Sequence, residues 1–137
     1  MLVAAIAVLT ALTGATATSG TVAARDHTPP TFSGLKSATT CIPGPVEDGT
    51  AAYRLTWDAA TDDITPQSKI VYDVYQATKS GGEDFSTPTY TVRHGATSFT
   101  TPPLPTDTSF YFVVRARDRA GNRDSNDVER EGVNLCV

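Results

Sequence analysis

Two stretches of the chain hold residues that could do chemistry, and hard oxygen donors dominate both. The first carries Asp58, Asp62 and Asp63; the second, DRAGNRDSND, carries Asp118, Asn122, Asp124, Asn126 and Asp127. Carboxylate and amide oxygens are the ligands calcium takes, which makes Asp62, Asp63, Asp118 and Asp124 candidate calcium ligands. Neither stretch is an EF-hand loop, because the Gly and the bidentate Glu of that loop are not at the required places. Asx residues also build ordinary tight turns without any ion, and Arg119 and Arg123 stand among these acids as neutralising charges. Both explanations stay open. The expected cofactor is therefore none, with calcium as the alternative.

Other constellations are poorer. His27 and His94 are far apart in sequence and neither lies near a cysteine, so each is expected as an exposed polar residue rather than a ligand or base. Ser80, Gly81 and Gly82 lack the following Lys and helix of a phosphate loop. No Gly-x-Ser-x-Gly elbow and no His-Glu-x-x-His pair occurs, and no enzyme is expected. Arg115, Arg117, Arg119 and Arg123 interleave with Asp118 and Asp124, as a solvated charge ladder of little net worth would. The net charge of −4 weighs against nucleic-acid binding, which needs a basic stripe.

The elements that must position these residues read as strands. In FYFVVRAR, Phe110, Phe112, Val114 and Ala116 fall on every second position, the period of a strand with one buried face. Gly121 and the Asx residues after it end the run in a polar loop. Tyr53, Leu55 and Trp57 alternate in a second strand, and Ile70, Tyr72 and Val74 oppose Val71, Asp73 and Tyr75 in a third. A first strand is expected around Phe32 and Leu35, with Gly34 marking a bulge and a turn-rich crossing after it. TYTVRH, ATSFTTPPL and EREGVNLCV complete a set of seven with turn signals between them, the spacing of an antiparallel sandwich.

The first 20 residues hold an apolar run of roughly 13, too short to span a bilayer as a helix. Residues 1–24 are expected as a secretory signal peptide, cleaved near residue 17 or 24, with residues 25–137 as one folded domain. No Lys or Arg follows Met1 before the run, so a basic n-region is expected upstream; a short anchor or an apolar tail is the alternative. No transmembrane span is expected in the mature chain. Two cysteines, Cys41 and Cys136, suit one disulfide in an exported protein, or else two buried thiols.

The order PPTFSGL, LTWD, YDVYQA and LPTDTSFYFVVRARDRAGN resembles a fibronectin type III domain of the bacterial secreted kind, over about Pro29 to Val137. The family's core positions fall on Leu55, Trp57, Tyr72, Val74, Leu104, Phe112, Val114 and Ala116. The resemblance implies a seven-stranded antiparallel immunoglobulin-like sandwich, all-β, preceded by the signal peptide. One position departs: Phe110 stands where the family has a tyrosine whose hydroxyl bonds the preceding corner. That loss costs on the order of 1 kcal/mol net.

Several juxtapositions are implied by the resemblance. The first and seventh strands run the same way, which puts Cys41 and Cys136 at one pole and pairs them. Closing a loop of about 95 residues stabilises by roughly 4–5 kcal/mol in the chain-entropy model. The two acidic stretches meet at the other pole, where Asp26 and His27 also enter. The third and sixth strands become antiparallel neighbours, with Tyr75 beside Tyr111 or Val113, and Asp73 near Val113 or Arg115. Tyr75, Tyr111, Val113 and Arg115 then form an outward face of the composition interface centres favour. The implied function is a secreted or cell-surface, non-catalytic binding or adhesion module that engages a protein or cell-envelope partner. Its alternatives are a structural spacer or accessory module of secreted hydrolases and, more remotely, a calcium-dependent adhesin.

Overall fold

The computed structural model describes residues 25–41 and 48–135; the expected leader at residues 1–24 and Cys136 lie outside them. Within the described residues the chain forms β1 (Leu35–Thr40), β2 (Thr50–Ala51), β3 (Arg54–Trp57), β4 (Val71–Ala77), β5 (Tyr90–Val92), β6 (Ser98–Thr100), β7 (Leu104–Pro105), β8 (Tyr111–Arg117), β9 (Arg130–Glu131) and β10 (Val133–Asn134). The one helical element among them is a single 3-10 turn at Gln67–Lys69. One sheet has the order β10-β1-β3-β6, the other β5-β4-β8-β9, and β2 pairs with β7.

The two most regular alternations of the sequence pair with each other. β4 and β8 run antiparallel from Val71 opposite Arg117 to Ala77 opposite Tyr111. Their inward positions Tyr72, Val74, Phe112, Val114 and Ala116 join Tyr53, Leu55 and Trp57 of the facing sheet in one core. Each large side chain buried there contributes roughly 1.5–3 kcal/mol. The Trp57 and Tyr72 rings lie 5.3 Å apart, and Tyr53 and Phe112 5.7 Å. Polar tips of buried rings need partners: Trp57 Nε1 donates to Ala96 O, and Tyr72 Oη accepts from Ala60 N. Phe110, without the family hydroxyl, packs its ring 6.3 Å from that of Tyr53.

The strand count differs from the expected seven. β1 begins at Leu35, and Ser37 to Thr40, expected in the crossing, continue the strand against β3. Phe32 precedes it in extended chain and packs on Tyr72. The bulge falls between Leu35 and Ser37, one step beyond Gly34. The seventh segment breaks in two because the chain changes sheets at Gly132. A Cβ there would lie 2.6 Å from the Tyr53 ring, so only glycine lets the backbone cross so close to the core. After it, β10 runs parallel to β1, with Thr39 opposite Val133. That is the relative direction expected of the first and seventh strands.

Candidate functional site

At the pole where chain entry, the β3–β4 loop and the β8–β9 loop meet, three carboxylates converge. One oxygen each of Asp26, Asp62 and Asp118 lies within 4.8 Å of the others. Ladder and turn bonds bring them there. Thr31 and Thr61 exchange backbone hydrogen bonds, and Arg119 N donates to Thr65 Oγ1. Asn122 Nδ2 donates to Asp26 O and to Asp118 Oδ2.

The carboxylates also have local duties that leave specific oxygens over. Asp62 Oδ1 accepts from the amides of Ile64 and Thr65, and Asp26 Oδ1 from that of Thr28. Their second oxygens, Asp62 Oδ2 and Asp26 Oδ2, are buried without a hydrogen-bond donor. A buried acceptor without a donor is destabilising. Ionised carboxylates with oxygens within 4.8 Å of one another repel. Oxygens opposite each other around calcium are up to about 5 Å apart, so the cluster has a suitable span and hard-donor chemistry.

Of the four candidate ligands read from the sequence, Asp62 and Asp118 join this cluster and two do not. Asp63 is exposed and outside it. Asp124 is buried and spends its carboxylate on the backbone: one oxygen accepts from Ala116 N, the other from Asn126 N and Nδ2. That carboxylate extends the β8 ladder as a strand would, which is why it turns away from the pole. Asp26 takes its place. Asp58 pairs with Lys36 at 3.2 Å, and His27 and His94 are both exposed.

The expectation that the sheet face of Tyr75, Tyr111, Val113 and Arg115 is outward and open needs correcting. Register is as expected, with Tyr75 opposite Val113 and Asp73 opposite Arg115. Yet Tyr75 and Val113 are each only 1% exposed, while Tyr111 and Arg115 are half-buried. The β4–β5 connection, residues 78–89, lies over them. Phe85 meets the Tyr75 ring edge-on at 5.1 Å, and the Arg115 guanidinium stacks 3.6 Å from the Phe85 centroid, a cation–π contact. A glycine-rich loop carries no periodicity, so nothing in its pattern marks it as a cover.

The arginine ladder is not simply solvated either. Asp73, on the covered face, is fully buried. Its carboxylate accepts from Arg117 Nε, Thr91 Oγ1 and Arg123 Nε, each at 2.9 Å. Burial opposes ionisation, but the bonds from Arg117, Thr91 and Arg123 together outweigh it and hold the carboxyl below the usual range. Arg123 is thereby drawn away from the acidic pole it was expected to neutralise. Its partner is 50 residues upstream, a pairing no local spacing announces.

Comparison with known proteins adds one likeness. No family model and no curated protein matches the chain. Among solved structures, the chain is similar to the crystal structure of a Fn3-like protein from Clostridium thermocellum. The match has 26% identity and a TM-score of 0.55, over 80% of this chain and 98% of that one.

Proposed function

Because the chain carries a fibronectin type III-like domain, a scaffold whose roles reside in sites and not in the fold, we propose that it is an exported, non-catalytic binding module whose N-terminal pole is completed by calcium. One pair of observations supports this above others: Asp62 and Asp26 each keep a buried, donorless oxygen, and one oxygen of each lies within 4.8 Å of one of Asp118. A divalent cation would satisfy both oxygens and reverse the repulsion among three carboxylates. The same loop carries Ile64, 61% exposed, whose amide is bonded to Asp62. Fixing Asp62 would fix an apolar contact residue beside the ion. With Tyr75 and Val113 covered, the pole loops replace the sheet face as the docking surface of this reading.

Export and a Cys41–Cys136 disulfide belong to the same proposal. Thr40 stands opposite Asn134 in parallel pairing, and Leu135 N donates to Thr40 O at 3.0 Å. The residues preceding the two cysteines are thus neighbours, which supports the pairing.

The test is capture from the organism's own culture supernatant and cell envelope with the immobilised mature domain, in calcium and in chelator. A protein or envelope component retained only in calcium, and lost with Asp62→Asn and Ile64→Ser, is the expected result. Retention indifferent to both calcium and these substitutions would contradict it.

A further inference from the structure

The connection over Tyr75 is held at two points of different chemistry. Phe85 holds by ring contacts to Tyr75 and Arg115. The other hold is electrostatic: Glu129, just before β9, accepts from Ser80 Oγ and Gly81 N, both at 2.6 Å. Charge-assisted bonds of this length depend on Glu129 being ionised. Between strap and sheet lies a cavity of about 340 Å³, lined in part by Glu83, Phe85, Val113, Asp127 and Glu129. Glu83, on the strap, turns Oε1 into a buried position without a donor.

We propose that residues 78–89 are a pH-gated strap over the Tyr75–Val113 face, latched by Glu129 and loosened when Glu83 ionises. A protonated Glu83 brings its own proton and can donate it to the Glu129 carboxylate. An ionised Glu83 places a second negative charge beside the latch, with no donor for its buried oxygen.

The surroundings give the direction. Burial, then the charge of Glu129, push the Glu83 carboxyl above the usual glutamate range, while the Gly81 amide and the Ser80 hydroxyl hold Glu129 below it. The raised group favours closure at low pH and withdraws that favour as pH rises through its folded value. The depressed group keeps the latch charged until pH falls below the usual range. Closure is then tightest in mild acid and weakens toward neutrality. Other charges at the strap are Asp127, which lines the same cavity, Arg115 of β8, which stacks on Phe85, and Lys79 and Asp84 on the strap itself. Ser86 holds Asp84 below the usual range.

Hydrogen exchange of the intact mature domain at about pH 4.5 and 7.5, corrected for intrinsic rates, tests this. Protection of the amides of residues 80–85 should fall about threefold at the higher pH, the scale of one partly exposed charge interaction. Glu83→Gln should abolish the fall and keep the acid level of protection, Glu129→Gln should lower protection at both pH values, and Asp127→Asn should leave the fall intact. Unchanged protection in the wild type, or a fall that survives in Glu83→Gln or disappears in Asp127→Asn, would overturn the proposal. Trp57 emission, reporting the core, confirms that each variant is folded when its strap is read.

Discussion

Replacing Asp73 by Asn tests whether a charge at the centre of the covered sheet face stabilises the domain. The substitution keeps shape and a carbonyl acceptor but removes the charge shared by Arg117 and Arg123. Breaking a buried ion pair costs roughly 3–5 kcal/mol. Both arginines here retain about 30% side-chain exposure and can rehydrate, so the lower figure of about 2–3 kcal/mol applies. Against a total stability of about 5–15 kcal/mol, that is a shift near 10 °C in a domain of this size. Urea unfolding followed by Trp57, the single tryptophan, measures it. The sign with pH follows from linkage. A carboxyl depressed in the folded state stabilises above the unfolded value of about 3.9 and loses that effect as pH falls through the lower folded value. The gap between wild type and Asp73→Asn should therefore be full at pH 7 and narrow at about pH 2.5. A gap below about 0.5 kcal/mol at pH 7, or one that persists undiminished in acid, would refute the reasoning.

Further outcomes follow from the same contacts. Reducing the mature protein should lower its stability by up to roughly 4–5 kcal/mol, because a loop of about 95 residues is released; two thiols reacting with an alkylating reagent before reduction would remove the disulfide. Gly132→Ala should cost about 1–3 kcal/mol by forcing its methyl group into the Tyr53 ring, whereas Gly121→Ala, with open space around it but positive φ, should cost only the smaller backbone strain of about 1–2 kcal/mol; chemical denaturation compares the two.

What could be read in advance was what is periodic. The inward sets Tyr72 and Val74, and Phe112, Val114 and Ala116, follow from alternation; that their strands are neighbours followed from the resemblance, and once two strands are antiparallel neighbours their register is nearly determined. The covered face was not readable, because residues 78–89 act through one aromatic ring and two hydrogen bonds that Ser80 Oγ and Gly81 N donate to Glu129. Asp124 and Asp62 look alike in sequence, as acids in turns. They part only because Asp124 sits where the Ala116 amide needs an acceptor, while Asp62 caps two amides with one oxygen and leaves the other over. Likewise, Arg123 seems a neighbour of the acidic loop until the sheet carries Asp73 to it.

Calcium at Asp26, Asp62 and Asp118 is most directly tested by thermal unfolding of the metal-stripped mature domain in chelator and in about 10 mM calcium. Extracellular sites with dissociation constants of about 0.1–1 mM would be stabilised by about 1.4–2.7 kcal/mol at that concentration, a rise of about 5–12 °C. Asp62→Asn keeps the oxygen that caps Ile64 and Thr65 while removing one of three converging charges. It should unfold in chelator no earlier than the wild type, and should lose the calcium response. Superimposed wild-type melts with and without calcium, or an equal rise in Asp62→Asn, would contradict the site.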